Sequence, residues 1–232
     1  MKLSIFIPVY NEESTIEEVL AQVIAVELRD GLEKEIVVVD DGSTDGSLEA
    51  IHKTQLAQGE LVKVHASPIN FGKGAAVRLG FRFATGDIIL IQDADLELSP
   101  QEYNRLLAPI LAGEAEVVYG SRFRQNNQHI PLKARLANRF LTWLTNGLFR
   151  GRITDMETAY KVFRAEVLQK FRLKRVSFDF EPEITAKILK AGYRIHEIPI
   201  AYNPRTSYEG KKIRWQDGVE AIWTLLACRF FE

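Results

Sequence analysis

Residues 87–97 read DIILIQDADLE, four consecutive apolar residues closed by an acidic turn. The uninterrupted run Ile88–Ile91 suits a strand buried on both faces, the habit of parallel sheets covered by helices. Side chains two apart on an extended chain point the same way. Asp93 and Asp95 therefore converge just past the strand's carboxyl end. At about 5 Å and an effective dielectric of about 20, two such charges repel by roughly 3 kcal/mol. A divalent cation removes that cost, and Mg²⁺ and Mn²⁺ favour carboxylates together with phosphate oxygens. Glu97 offers a third oxygen. An acidic surface turn reads the same way, so the pair has to be weighed with its surroundings.

Outward from this strand the pattern alternates. Leu3–Val9 and Ile36–Val39 are further apolar strands, Leu61–His65 a weaker one, and Glu116–Gly120 another. Between them Ile16, Val19, Leu20, Val23 and Ile24 recur at helical spacing, as do Tyr103, Leu106, Leu107 and Ile110. Asp45 is placed to cap a helix carrying Leu48 and Ile51, and Gly72–Ala84 reads as a glycine-entered helix. Ser99-Pro100-Gln101-Glu102 is a capping box with proline at the first helical position. The β-α-β-α order predicts an α/β fold, a mostly parallel central sheet flanked by helices. After Ser121 the spacing predicts a long helix over Pro131–Phe149, a helix over Glu181–Ala191, a strand over Tyr193–Ile198 and a helical tail over Arg214–Phe231.

The chain has 232 residues, 46% of them hydrophobic, enough for a real core. Its one cysteine, Cys228, excludes an intrachain disulfide and a thiolate zinc site, and fits a reducing compartment. The opening run MKLSIFIPVYNEE is too short for a signal peptide. No run of 18 apolar residues suggests a membrane span. The net charge of -1 conceals an asymmetry. Residues 1–120 hold 9 Lys and Arg against 20 Asp and Glu; residues 121–232 hold 21 against 11. An acidic half suits a metal-assisted site and a basic half suits phosphate groups or an anionic membrane surface, although both also suit solvated surface charge. With no linker or repeat, one domain is expected: an acidic, metal-suited half over 1–120, a basic, phosphate-suited part over 121–213, and an amphipathic helix over 214–232.

Two further constellations share the edge of the acidic turn. Pro8-Val9-Tyr10-Asn11-Glu12 follows the first strand and Asp40-Asp41-Gly42-Ser43-Thr44-Asp45 the second. Carboxylates there can accept hydrogen bonds from a base or from ribose hydroxyls, or simply cap turns. Asn70-Phe71-Gly72-Lys73-Gly74 enters a helix where free N–H groups and a lysine can meet a phosphate.

In this order and spacing, IPVYNE, VVDDGSTD, NFGKG and QDADLE resemble the inverting family-2 glycosyltransferases of GT-A fold. YGSRF, ITDMETAYKVF, FDFEPEI and RTSYEGKKI further resemble the dolichyl-phosphate sugar synthases, which move mannose or glucose onto a polyprenyl phosphate. The resemblance implies that Pro8, Tyr10, Glu12 and Asp41 hold the base and ribose, and that Lys73 lies in the donor-side loop. It implies that Asp93, Asp95 and Glu97 form the metal and diphosphate site, with Mn²⁺ or Mg²⁺ as cofactor; several relatives carry glutamine at the position of Glu97. It places Arg122 against the acceptor phosphate and Arg135 and Arg139 near a second phosphate cluster. Arg205, Lys211 and Lys212 fall in a segment that in the family closes over the phosphates. Asp155 is a site residue without an assigned role, or a turn residue.

The expected reaction joins a nucleotide-sugar donor, GDP-mannose or UDP-glucose, to a polyprenyl phosphate with inversion. A phosphate monoester is ionised near neutral pH, its second pKa being about 6, so no strong general base is needed. Arginine forks suit the alignment of two mutually repelling anions. Residues 131–149 and the tail, both apolar with basic residues, are expected to meet a membrane surface or pack on the sheet, and the tail to bind membrane or a second copy. The protein is then cytoplasmic and peripheral at the cytoplasmic face of the membrane. Three other readings compete: a family-2 transferase with a non-lipid glycan or protein acceptor, a sugar nucleotidyltransferase, and a non-catalytic nucleotide-sugar-binding module. A sequence pI of about 6.5 without a reading motif argues against nucleic acid.

Overall fold

The computed structural model describes residues 1–125, 130–205 and 215–232. Among them, strands β1 (Lys2–Val9), β2 (Glu33–Asp40), β3 (Val62–Ala66), β4 (Ile88–Ile91), β5 (Val117–Ser121), β6 (Lys161–Arg164) and β7 (Ile195–Pro199) form one sheet, ordered β3-β2-β1-β4-β6-β5-β7. Its helices are α1 (Ile16–Ala25), α2 (Ser47–Gln58), α3 (Lys73–Phe83), α4 (Tyr103–Leu111), α5 (Leu132–Phe149), α6 (Ala165–Leu168), α7 (Phe180–Lys190) and α8 (Trp215–Phe230). The pairs β1–β2, β2–β3, β1–β4 and β5–β7 are parallel. Only β6 runs against its neighbours β4 and β5. The mixed α/β architecture with a mostly parallel sheet matches the sequence expectation.

Strand alternation sorts the core into two layers. Leu3, Ile5, Ile7, Ile36, Val38, Ile88, Leu90 and Val162 pack with α1 and α4 on one face. Phe6, Val37, Val39, Ile89, Ile91, Tyr119 and Phe163 pack with α3 and α7 on the other. The period of two expected of a strand thus places every β4 residue in a core. Helix α3 lies close because Gly80 has no side chain: a Cβ there would meet the Phe6 ring at 2.1 Å. At the far edge Lys34 donates to the carbonyls of Val23, Ile24 and Val26, closing the C-terminus of α1.

A third cluster joins α5, α7 and α8 through Leu141, Phe149, Met156, Ala186, Leu225 and Cys228. One face of the tail therefore packs on α5 and α7 rather than on the sheet. Its other face leaves Val219, Trp223 and Phe230 exposed. On α5 the stripe Leu132, Leu136, Phe140 and Trp143 is likewise exposed, at successive turns of the helix. No helix among the described residues is long and apolar enough to cross a membrane.

Two local expectations need correction. Strand β6 was not anticipated. Its four residues carry Lys161, which reads as an interruption of an apolar run but is fully buried. The capping box is half-formed: the Ser99 hydroxyl accepts from Gln101 N, while the Glu102 carboxylate pairs with Arg105. A short 3₁₀ turn over Pro100–Glu102 precedes α4.

Candidate functional site

Because β1, β2, β4, β5 and β7 share one direction, Tyr10, Asp41, Asp93, Arg122 and residues 200–205 leave the sheet at one edge. The reversal of β6 brings the segment before it, Gly151–Tyr160, to the same edge. The chain switches from the β3 side of β1 to the β4 side there, the crevice where open α/β sheets bind ligands. Asn11 and Leu96 flank it in the left-handed region, φ 51° and 59°. For leucine such a backbone is costly and marks a turn held by its surroundings.

At the β4 exit, Asp93 meets the Lys73 ammonium at 2.9 Å, and Asp95 meets the Arg205 guanidinium at 3.2 Å. Burial and the charges of Asp93 and Glu97 push the Asp95 carboxyl up to about 7. Burial alone would lower the Lys73 amine, but Asp93 and Glu181 outweigh it and hold it above the ordinary lysine range. Two crowded carboxylates, one of them so strained electrostatically, fit a divalent cation completed by ligand oxygens. No ready-made set of three protein ligands occurs among the described residues.

Glu97 stays beside Asp95, whose carboxylate accepts from Glu97 N. Its Oε2 accepts from the Tyr202 hydroxyl and its Oε1 from Arg205 N, both at 2.8 Å. It anchors the chain after β7. Glu12 receives both Arg205 guanidinium nitrogens, at 2.8 and 3.0 Å. Arg205, expected to meet phosphate, spans Glu12 and Asp95. Lys211 and Lys212 lie outside the described residues.

Asp41 accepts from Phe71 N and Gly72 N, at 3.0 and 2.7 Å, and so positions the NFGKG loop. Its carboxyl is raised by burial, against those two bonds. The loop requires Gly72: φ is 99°, and a Cβ would fall 2.3 Å from the Val176 carbonyl oxygen. Neighbouring Asp40, outside the expected site residues, keeps one buried oxygen, Oδ1, without a partner among the described residues. Pro8 is buried within β1, and Tyr10 is half-buried at its exit.

The residues expected to meet the acceptor are organised by Asp155. Fully buried, it accepts from Arg122 N at 3.0 Å, from Arg122 Nε and Nη2 at 2.8 Å each, and from Asn138 Nδ2 at 3.1 Å. Its own N–H donates to Glu197. The residue that had no assigned role is thus the counter-ion that fixes Arg122. Burial would lower the Arg122 guanidinium, but Asp155 more than compensates and keeps it charged. The ring of Tyr202 lies 5.2 Å from the same guanidinium. Arg122, Arg135 and Arg139 line one cleft of about 570 Å³ together with Thr142, Trp143 and Asn146. The three arginines expected to meet phosphate are brought together.

Three residues that the sequence argument passed over join the two sides. Glu181 reaches Lys73 at 3.3 Å and also pairs with buried Lys161, whose ammonium further donates to the carbonyls of Met156 and Thr158. Glu157 lies among Glu181, Lys161, Arg122 and Asp155; burial and Glu181 push its carboxyl up to about 7. The available signals were a lysine inside the apolar run AYKVF and the acid of DMET, two residues beyond Asp155.

A parallel sheet whose switch-point crevice carries paired carboxylates, a lysine-bearing glycine loop and a separate arginine cleft defines an α/β protein built around a nucleotide-type site. The sequence profile of glycosyl transferase family 2 matches residues 4–172. The chain belongs to that family. Among similar solved structures are complexes of glucosyl-3-phosphoglycerate synthase from Mycobacterium tuberculosis. One, with Mn²⁺, uridine diphosphate and phosphoglyceric acid, is 23% identical, covers 100% of this chain and 79% of that one, and has a TM-score of 0.74. Another, with Mn²⁺, uridine diphosphate and glucosyl-3-phosphoglycerate, is 23% identical over 98% of this chain and 80% of that one, TM-score 0.72. A third, with Mg²⁺ and uridine diphosphate, is 22% identical over 98% and 79%, TM-score 0.70. At these identities the likeness is one of fold.

Proposed function

We propose that this chain transfers a hexose, with inversion, from a nucleotide-sugar to a polyprenyl phosphate, acting as one catalytic unit at the cytoplasmic surface of a membrane. The observation that carries the lipid acceptor is a juxtaposition on α5. The Arg122–Arg135–Arg139 cleft opens beside Trp143, and Trp143 continues the exposed stripe Leu132–Leu136–Phe140. A cationic cleft bordered by an apolar stripe suits an amphiphile with an anionic head.

On the donor side, Asp93 and Asp95 would hold Mn²⁺ or Mg²⁺, in keeping with the metal and uridine diphosphate held by the mycobacterial relatives. When bound, such an ion offsets charge developing on the departing nucleoside diphosphate. Lys73 is stationed beside Asp93 to meet the same diphosphate, and Asp41 holds the loop that delivers it. Arg205 pairs with Glu12 and Asp95 across the crevice mouth. Opposite them Arg122, locked by Asp155, presents a fixed cation to the attacking phosphate. The acceptor is already ionised near neutral pH. The work of the protein is alignment of two anions and exclusion of water. The stripes on α5 and α8 rest against the membrane surface.

A second reading is a small phosphorylated acceptor in place of the lipid, because the mycobacterial relatives hold phosphoglyceric acid and the arginine cleft suits any phosphate. The deciding experiment incubates the chain and manganese with GDP-mannose, UDP-glucose or UDP-GlcNAc, offering polyprenyl phosphate or phosphoglyceric acid. Labelled product in the organic phase supports the lipid reading; product confined to water with phosphoglyceric acid replaces it. Arg122→Ala is expected to lower turnover far more than donor affinity, and equal losses count against its acceptor role.

A further inference from the structure

We propose that Glu157 is the residue that recognises the hydroxyls of the transferred sugar, an assignment that rests on the glycosyltransferase reading and names the group between its two anion stations. The location follows from four side chains. On one side the carbonyls of Met156 and Thr158, which flank Glu157, accept from Lys161 of β6; Lys161 pairs with Glu181 of α7, and Glu181 leads through Lys73 to Asp93. On the other, two residues before Glu157, Asp155 fastens Arg122, the arginine after β5. Glu157 thus lies between the residues assigned to the donor diphosphate and the residue assigned to the acceptor phosphate. In a direct transfer the group that occupies this interval is the sugar.

The chemistry selects the same ligand. The neighbouring carboxylates are satisfied within the protein: Glu97 by Tyr202 and Arg205, Asp155 by Arg122 and Asn138, Glu181 by Lys73 and Lys161, Glu197 by Thr154 and Asp155. Glu157 differs. It keeps partial exposure, yet its Oε1 is sealed from solvent and has no hydrogen-bond partner among the described residues. Native buried polar atoms are nearly all paired, so an open acceptor marks a place for a ligand donor. A carboxylate repels phosphate, so neither the diphosphate nor the acceptor phosphate is suited to it. A hexose is neutral and presents O–H donors, and a hydrogen bond from a hydroxyl to a carboxylate is among the stronger ones.

The test measures binding without any acceptor. Dissociation constants of the full chain with manganese are determined for UDP, UDP-glucose, GDP and GDP-mannose, in the native protein and in Glu157→Gln and Glu157→Ala. Affinity for UDP and GDP is expected to stay within about twofold, while the nucleotide-sugar bound by the native chain weakens about tenfold or more. The alanine variant is expected to lose at least as much as the glutamine one. Equal weakening of nucleotide and nucleotide-sugar would assign Glu157 to general support of Lys161 and Arg122 and overturn the proposal. So would unchanged nucleotide-sugar binding in Glu157→Gln, the variant that preserves shape. An intact differential loss in a chain that makes no lipid product counts against the lipid acceptor alone.

Discussion

Asp155→Asn isolates the ion pair that fixes Arg122. In the native chain one carboxylate accepts three hydrogen bonds from Arg122 and one from Asn138, while the Arg122 side chain is only 15% exposed. An amide of the same shape keeps a single acceptor oxygen and turns N–H donors towards the arginine's own. The guanidinium, still charged, then lacks its counter-ion. Removing one partner of a buried pair costs roughly 3–5 kcal/mol, and the residual exposure of Arg122 favours the lower end, about 3 kcal/mol. For a domain of this size each kcal/mol shifts Tm by about 2–4 °C, so a fall of about 6–12 °C is expected. Differential scanning calorimetry supplies the number. The paired replacement Arg122→Met with Asp155→Leu should recover most of the loss, because no uncompensated charge is left. A single variant that melts within about 2 °C of the native chain, or a double variant equal to the sum of its singles, would refute the reasoning.

Three other outcomes are expected. Glu35 is buried, and although desolvation raises its carboxyl, hydrogen bonds from Lys2, Lys63, Ser4 and Thr85 hold it far below the usual carboxylate range. A depressed acid stabilises fully above its unfolded value of about 4.3 and progressively less as pH falls below it; Glu35→Gln should flatten the acid limb of a stability–pH curve, and an unchanged limb would contradict this. Asp95 is the opposite case: its folded value near 7 means that stability rises as pH falls from about 7 towards 4. Asp95→Asn should therefore gain Tm relative to the native chain more at pH 8 than at pH 5 while losing transfer activity, and a uniform gain would argue against charge crowding. Gly72→Ala forces a Cβ against the Val176 carbonyl at a φ of 99° and should weaken donor binding about tenfold, read by titration calorimetry, with the far edge of the sheet unaffected.

The donor half was legible in the sequence because its signals are local. An apolar run followed by DAD, or a second strand followed by DDGS, puts strand, turn and carboxylates within ten residues, and β1, β2 and β4 lie where periodicity placed them. The rest of the site depends on partners far apart in sequence. Arg122 and Asp155 are 33 residues apart, and Arg205 and Glu12 are 193 apart, so which acid takes which arginine is set by topology. The same limit hid β6. Lys161 looks out of place in a strand until Glu181 arrives from α7 as its counter-charge. It also explains the partners of Glu97 and Arg205: the chain after β7 folds back onto the crevice, where its Tyr202 and Arg205 engage Glu97, Glu12 and Asp95.

The single reversed strand has an engineering consequence. By turning β6 around, the chain gathers its chemistry at one rim and leaves the opposite rim, with the turns near Asp30, Glu60 and Gly113, as scaffolding alone. Those turns are the natural attachment points for an affinity handle, a fluorophore or an inserted domain, since a cargo there stands a full strand length away from the transfer centre.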